Sequence, residues 1–200
     1  MRSQRMAAIV ASAPIFFVGI SSISTWIVAD HNSLSDNMSK LAGPSAQHPW
    51  VFQFGVVGYA LLIQCLGPLL YWKADRNWKG TLLWTLVMIY SLMGMMAAVF
   101  RDGYASPVIG GISENTAHYF AARLSFSAVW LLIFITPWVL RHQEGWRTWH
   151  RFSLTIGIIT TILVIPFVTE LWPAYQGLTQ RLFFATTMLW IFVTAIKLHI

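Results

Sequence analysis

Residues 72–103 read WKADRNWKG TLLWTLVMIYSLMGMMAAVF RDG, an uncharged run from Thr81 to Phe100 bounded on both sides by charged, glycine-containing stretches. About 20 mainly apolar residues are what an α-helix needs to cross the hydrocarbon core of a bilayer. The run is too long and too continuously apolar for a barrel strand, which alternates. Ala7–Ala29, Val51–Tyr71, His118–Leu140, Phe152–Leu171 and Gly177–Lys197 read the same way. The expected fold class is all-α: a polytopic membrane protein, a six-helix transmembrane bundle forming a single domain over residues 1–200.

Composition agrees. Apolar residues make up 56% of the chain and charged residues only 10%, against roughly 25% charged in a soluble domain. Six spans and their connections use nearly all of these 200 residues, so no separate soluble domain is expected within them. Arg2 and Arg5 ahead of Ala7–Ala29 resemble the start of a secretory signal, but the apolar stretch is too long for one and reads as the first span. The single cysteine, Cys65, excludes an intramolecular disulfide and a zinc-finger-like site.

Charge placement gives an orientation. With the N-terminus inside, the cytoplasmic side collects Arg2, Arg5, Lys73, Arg76, Lys79, Arg141, Arg147, Arg151 and Lys197, while the opposite loops hold Lys40 and Arg101. That asymmetry follows the positive-inside rule, and tryptophans and tyrosines such as Trp50, Trp72, Trp78, Tyr104 and Trp172 mark the boundaries. The expected location is the cytoplasmic (inner) membrane of a bacterium or archaeon, multi-pass, with both termini inside.

The acidic residues lie mostly on the other side, at Asp30, Asp36, Asp102, Glu114 and Glu170. Asp36, Asp102 and His118 are the catalytic candidates, able to act as an acid/base set. They could also supply oxygen and nitrogen ligands to a metal if the loops converge, though no spacing forces this and no metal site is assigned. Arg123 and Arg181, about one turn inside the fourth and sixth helices, either snorkel to headgroups or face a substrate. With Gln180 they form the substrate-binding candidates. Asp36, Asp102, His118 and Arg181 are expected to share one cluster, since carboxylates near lipid need compensating charge.

Other chemistry is disfavoured. The cofactor is unknown, and haem is not expected because His118, His142, His150 and His199 lie at helix ends rather than as a facing axial pair. The basic, aromatic loop Arg141–Arg151 is expected to touch anionic lipid headgroups, not nucleic acid. Phosphate-cradling loops, zinc-protease motifs and serine-hydrolase elbows are lacking.

Five patches carry a family resemblance: Ser35-Asp36 with Leu41-Ala42-Gly43, Phe52-Gln53-Phe54-Gly55, Phe100-Arg101-Asp102, His118, and Gly177-Leu178-Thr179-Gln180-Arg181-Leu182. Together they resemble the DUF998 family of small bacterial and archaeal integral membrane proteins of unknown function. Asn37 departs from it, standing where an apolar–glycine pair is expected. The resemblance implies a compact six-helix protein with a role near lipids, and no particular reaction. The expected function is binding or processing of a lipid-like or amphiphilic substrate at a polar extracytoplasmic site, with membrane lipids as partners. A small-solute transporter and a non-catalytic subunit of a membrane assembly are the alternatives. Gln64 is the main polar residue at depth that a transport path would have.

Overall fold

A computed structural model describes residues 2–199. Seven α-helices form six rods: α1 (Arg2–Ile27), α2 (Pro49–Ile63) continued by α3 (Leu66–Lys73), α4 (Trp78–Val99), α5 (Glu114–Leu140), α6 (Arg147–Val168) and α7 (Gln176–His199). All six rods are long and apolar enough to cross a membrane. Their outward faces are apolar too, with Trp26 88% and Val168 69% exposed. A surface that greasy is stable only against lipid, so the all-α bundle is a multi-pass membrane protein.

Local chemistry sets the helix limits. Pro49 opens α2, where a missing N–H costs nothing. The Asn77 side chain accepts from the backbone N–H groups of Lys79 and Gly80 and caps α4, and Ser113 does the same for α5 through Thr116 N at 3.1 Å. Several helices begin earlier than expected. The fourth rod opens at Glu114 rather than His118, and the fifth at Arg147 rather than Phe152, because polar first turns carry no hydropathy signal.

The second rod is not the single helix expected over 51–71. Pro68 has no N–H for the carbonyl of Gln64, and its ring crowds that oxygen. The ladder breaks at Gln64–Cys65, and Gly67 N bonds Gln64 O at 3.2 Å instead. Two small elements lie in the long connections: a 3-10 turn, Met38–Ala42, and a hairpin of β1 (Pro107–Ile109) and β2 (Ile112–Ser113). Gly110 and Gly111 make the hairpin turn with φ of 57° and 81°, a conformation open to glycine and costly for most other residues.

The rods form a closed ring in chain order. Each of α1, α2–α3, α4, α5, α6 and α7 packs on the next, and α7 returns to α1. His199 Nδ1 lies 3.1 Å from Gln4 O, which puts both ends of the described chain at one face. The long connections, 28–48 and 100–113, lie at the opposite face, the long-loop end.

Candidate functional site

The first long loop is held on the entry of α7. Arg181 Nη1 donates to the carbonyls of Ser33 and Asp36, each at 2.9 Å, and Nη2 lies 2.9 Å from His31 Nε2. Arginine has no acceptor atom, so this His31 nitrogen is the acceptor and the ring is neutral when the contact is made. Leu178 N donates to Leu34 O at 2.9 Å. The loop comes so near that a Cβ on Gly177 would overlap the Asp36 carbonyl. The Asp36 carboxylate turns away from Arg181, accepting from Lys40 Nζ at 2.7 Å and Asn32 N at 2.8 Å. The Lys40 bond holds its carboxyl below the usual carboxylate range, while burial and the Arg181 cation hold His31 below the usual imidazole range.

The second long loop is fixed by an ion pair. Arg101 Nε donates to Glu114 at 2.8 Å, its backbone N to the same oxygen at 2.9 Å, and its guanidinium covers the Tyr104 ring at 3.7 Å. Glu114 sits in the first turn of α5, where the helix dipole also favours a negative charge. With Arg101 so held, Asp102 turns toward the bundle axis and accepts from Ser39 Oγ at 2.6 Å. His118 Nδ1 lies 2.7 Å from Ala97 O and 2.8 Å from Phe100 O. Two carbonyls around one nitrogen require Nδ1 to carry the proton, which leaves Nε2 as the ring's free lone pair when the imidazole is neutral.

Both loops roof a cavity of about 100 Å³ inside the ring. Every rod except α6 contributes to its wall. Ser39, Phe52, Asp102, His118 and Gln180 line its long-loop end, and Phe17, Val56, Phe126 and Phe184 line the wall farther in. Tyr59 and Tyr90, both buried, meet hydroxyl to hydroxyl at 2.8 Å, and Ser125 Oγ donates to Tyr90 O at 2.8 Å. Gln180 Oε1 accepts from Met38 N at 2.5 Å and so anchors the loop that carries Ser39.

The six candidate residues thus fall in three places. Asp102, His118 and Gln180 share the cavity, Arg181 and Asp36 form the loop anchor beside it, and Arg123 is on the exposed face of α5. Met38 and Ser39 bridge the first two groups, because their loop is anchored by α7 and faces the cavity. Asp36, Asp102 and His118 do not gather as a ligand set: among the described residues no three His, Cys, Asp or Glu side chains do. Sequence reasoning did not single out Ser39, Glu114 or the Tyr59–Tyr90 pair. An acidic residue directly after a Ser N-cap was a readable signal for Glu114; the tyrosines offered none among so many aromatics.

The family model described as a protein of unknown function, DUF998, matches residues 10–197. The chain belongs to the DUF998 family. No curated protein and no solved structure matches it. The five patches through which the chain resembles the family meet at the long-loop end. Asp36 is held by Gly177–Arg181, Gly43 lies near Asp102, Gln53 Nε2 donates to Ala98 O at 2.9 Å, and His118 holds the Phe100 carbonyl.

Proposed function

We propose that this membrane protein binds or processes a lipid-like amphiphile, with the apolar chain in the ring's central cavity and the polar group at Ser39, Asp102 and His118. The observation that carries the reading is the lining of the cavity: a mainly apolar wall whose deep hydroxyls, on Tyr59, Tyr90 and Ser125, bond one another or the backbone, and a carboxyl, an imidazole and an amide at its long-loop end. Sites that take small apolar molecules combine such a wall with a few convergent polar groups. Asp102 and the free Nε2 of His118 give that end a proton acceptor of each kind, which would serve either to orient a hydroxyl-bearing headgroup or to move a proton on it. The excess of Lys and Arg at the short-loop end supports an extracytoplasmic position for the site. A bacterial or archaeal inner membrane is the setting we propose.

Gly94→Leu tests this. Gly94 lines the cavity, and a Cβ there meets only Ser125 Oγ, at 3.6 Å, an ordinary contact, so the position admits a side chain and a larger one is expected to fill the cavity. The expected result, read by native mass spectrometry after purification in mild detergent, is a folded protein that has lost the lipid retained by the wild type. Equal retention by the filled variant would refute the cavity as the binding site.

A further inference from the structure

A second recess, about 420 Å³, lies in the seam between α1 and α7. Ser21, Ser22 and Thr25 line it from α1, and Arg181 and Ala185 from α7. Phe17, Met38 and Phe184 wall both this recess and the central cavity, and the Phe17 and Phe184 rings stack at 6.1 Å. An aromatic partition therefore divides the two spaces.

The recess has a definite hydrogen-bonding character. Arg181 spends Nη1 on three backbone carbonyls and one Nη2 hydrogen on His31. Its Nε–H and second Nη2–H have no acceptor among the described residues, and no carboxylate there lies within salt-bridge distance of the guanidinium. The nearest carboxylate charge, on Asp36, is bonded to Lys40 and makes no contact with the guanidinium. A half-buried cation so placed beside lipid favours an anionic partner, and paired guanidinium donors suit phosphate or carboxylate oxygens. The hydroxyls are complementary. Ser21 and Ser22 give their protons to Val18 O at 3.1 and 2.8 Å, and Thr25 gives its proton to Ser21 O at 2.9 Å. What they present to the recess is lone pairs, which accept from hydroxyl groups.

We infer that the α1–α7 seam is a lateral entry site where an anionic, hydroxyl-bearing amphiphile from the membrane sets its headgroup on Arg181 and the serine–threonine face. From there its chain passes Phe17 and Phe184 into the central cavity. The inference rests on the cavity reading above and adds the headgroup class and the route.

The test uses the full chain in phosphatidylcholine nanodiscs doped with a diazirine-bearing phosphatidylglycerol or, separately, a diazirine-bearing phosphatidylcholine. The expected result is labelling of α1 and α7 peptides about tenfold stronger with phosphatidylglycerol, the factor of one hydrogen bond to a charged group. Ala185 is exposed, so Ala185→Trp occupies the recess without entering the core and should abolish the labelling. Arg181→Gln should bring the two probes level, and if that variant fails to fold for want of its loop anchor, Ala185→Trp decides alone. Equal labelling by both probes, or full labelling of Ala185→Trp, would overturn the inference. Displacement of the probe by inorganic phosphate would also overturn it, by making the site one for a soluble anion. Gly94→Leu separates the two readings: seam labelling that persists while cavity lipid is lost is expected. Cavity lipid retained in that variant sinks the cavity reading, whereas a wild-type chain that retains cavity lipid but shows no seam labelling sinks only the entry site.

Discussion

His31 and Gly177 show how single residues fix the long-loop end. His31 must be neutral to accept from Arg181, and its folded pKa lies below the ordinary imidazole value of about 6.5, first through burial and then through the Arg181 charge. Below about pH 6.5 the unfolded chain binds a proton that the folded chain resists, so stability is full above that pH and falls as acid is added. Asp36, held ionised by Lys40, does not titrate in that window. Hydrogen exchange in residues 28–37 should speed up between about pH 7.5 and about pH 5 beyond the intrinsic trend, and His31→Gln, which keeps an acceptor without the proton site, should remove the excess. Gly177→Ala should cost about 1–3 kcal/mol, because the new Cβ meets backbone that cannot yield, whereas Gly19→Ala, facing open space, should leave the melting temperature unchanged. An arginine in an apolar helix was legible as a polar anomaly at Arg181. Three of its four partners were not, because they are carbonyls, and every residue has one; the fourth, His31, is one of six histidines with nothing in its spacing to pair it with Arg181.

At the level of elements, proline leaves carbonyls that another helix must satisfy. Pro137 deprives Ile133 O of its helical donor; Ser153 Oγ supplies one across the α5–α6 contact at 2.8 Å, and Trp190 Nε1 of α7 donates into the same hydroxyl at 2.6 Å. Ser153→Ala should destabilise the protein by about 1–2 kcal/mol. In a Pro137→Ala background the Ile133 carbonyl recovers a main-chain donor, and the loss should shrink; a double-mutant cycle read by thermal unfolding measures the difference. Equal losses in both backgrounds would remove Pro137 from the explanation. The six rods were readable because lipid leaves a long apolar run that nothing in a soluble core matches. The break at Gln64–Cys65 was written in Pro68 and the hairpin in Gly110-Gly111, yet both lay inside stretches whose hydropathy already gave an answer, helix in one case and loop in the other.

For the molecule as a whole, the prediction is orientation. With Cys65→Ala as the background, single cysteines at Lys40 and Val108 should react with an impermeant thiol reagent on intact cells, and cysteines at Glu144 and Arg147 should not. All four positions are exposed, so a reversed pattern would invert the assignment of sides. The expected single cluster needed the packing order of the helices, which hydropathy does not encode: the closed ring puts Asp102 and His118 on its inside and the Arg181 recess in its seam.

That seam also sets the order of assembly. Ile27 ends α1 on the growing chain well before Gln176 begins α7, and a ribosome adds only about 5–20 residues per second. Throughout that interval the inserted helices stand as an open arc. The Phe17 face lacks its α7 neighbour, and the carbonyls of Ser33 and Asp36 lack Arg181. A chain stalled before Gln176 therefore offers quality-control proteases an unsealed, half-polar wall, and the arrival of α7 is the step that hides it.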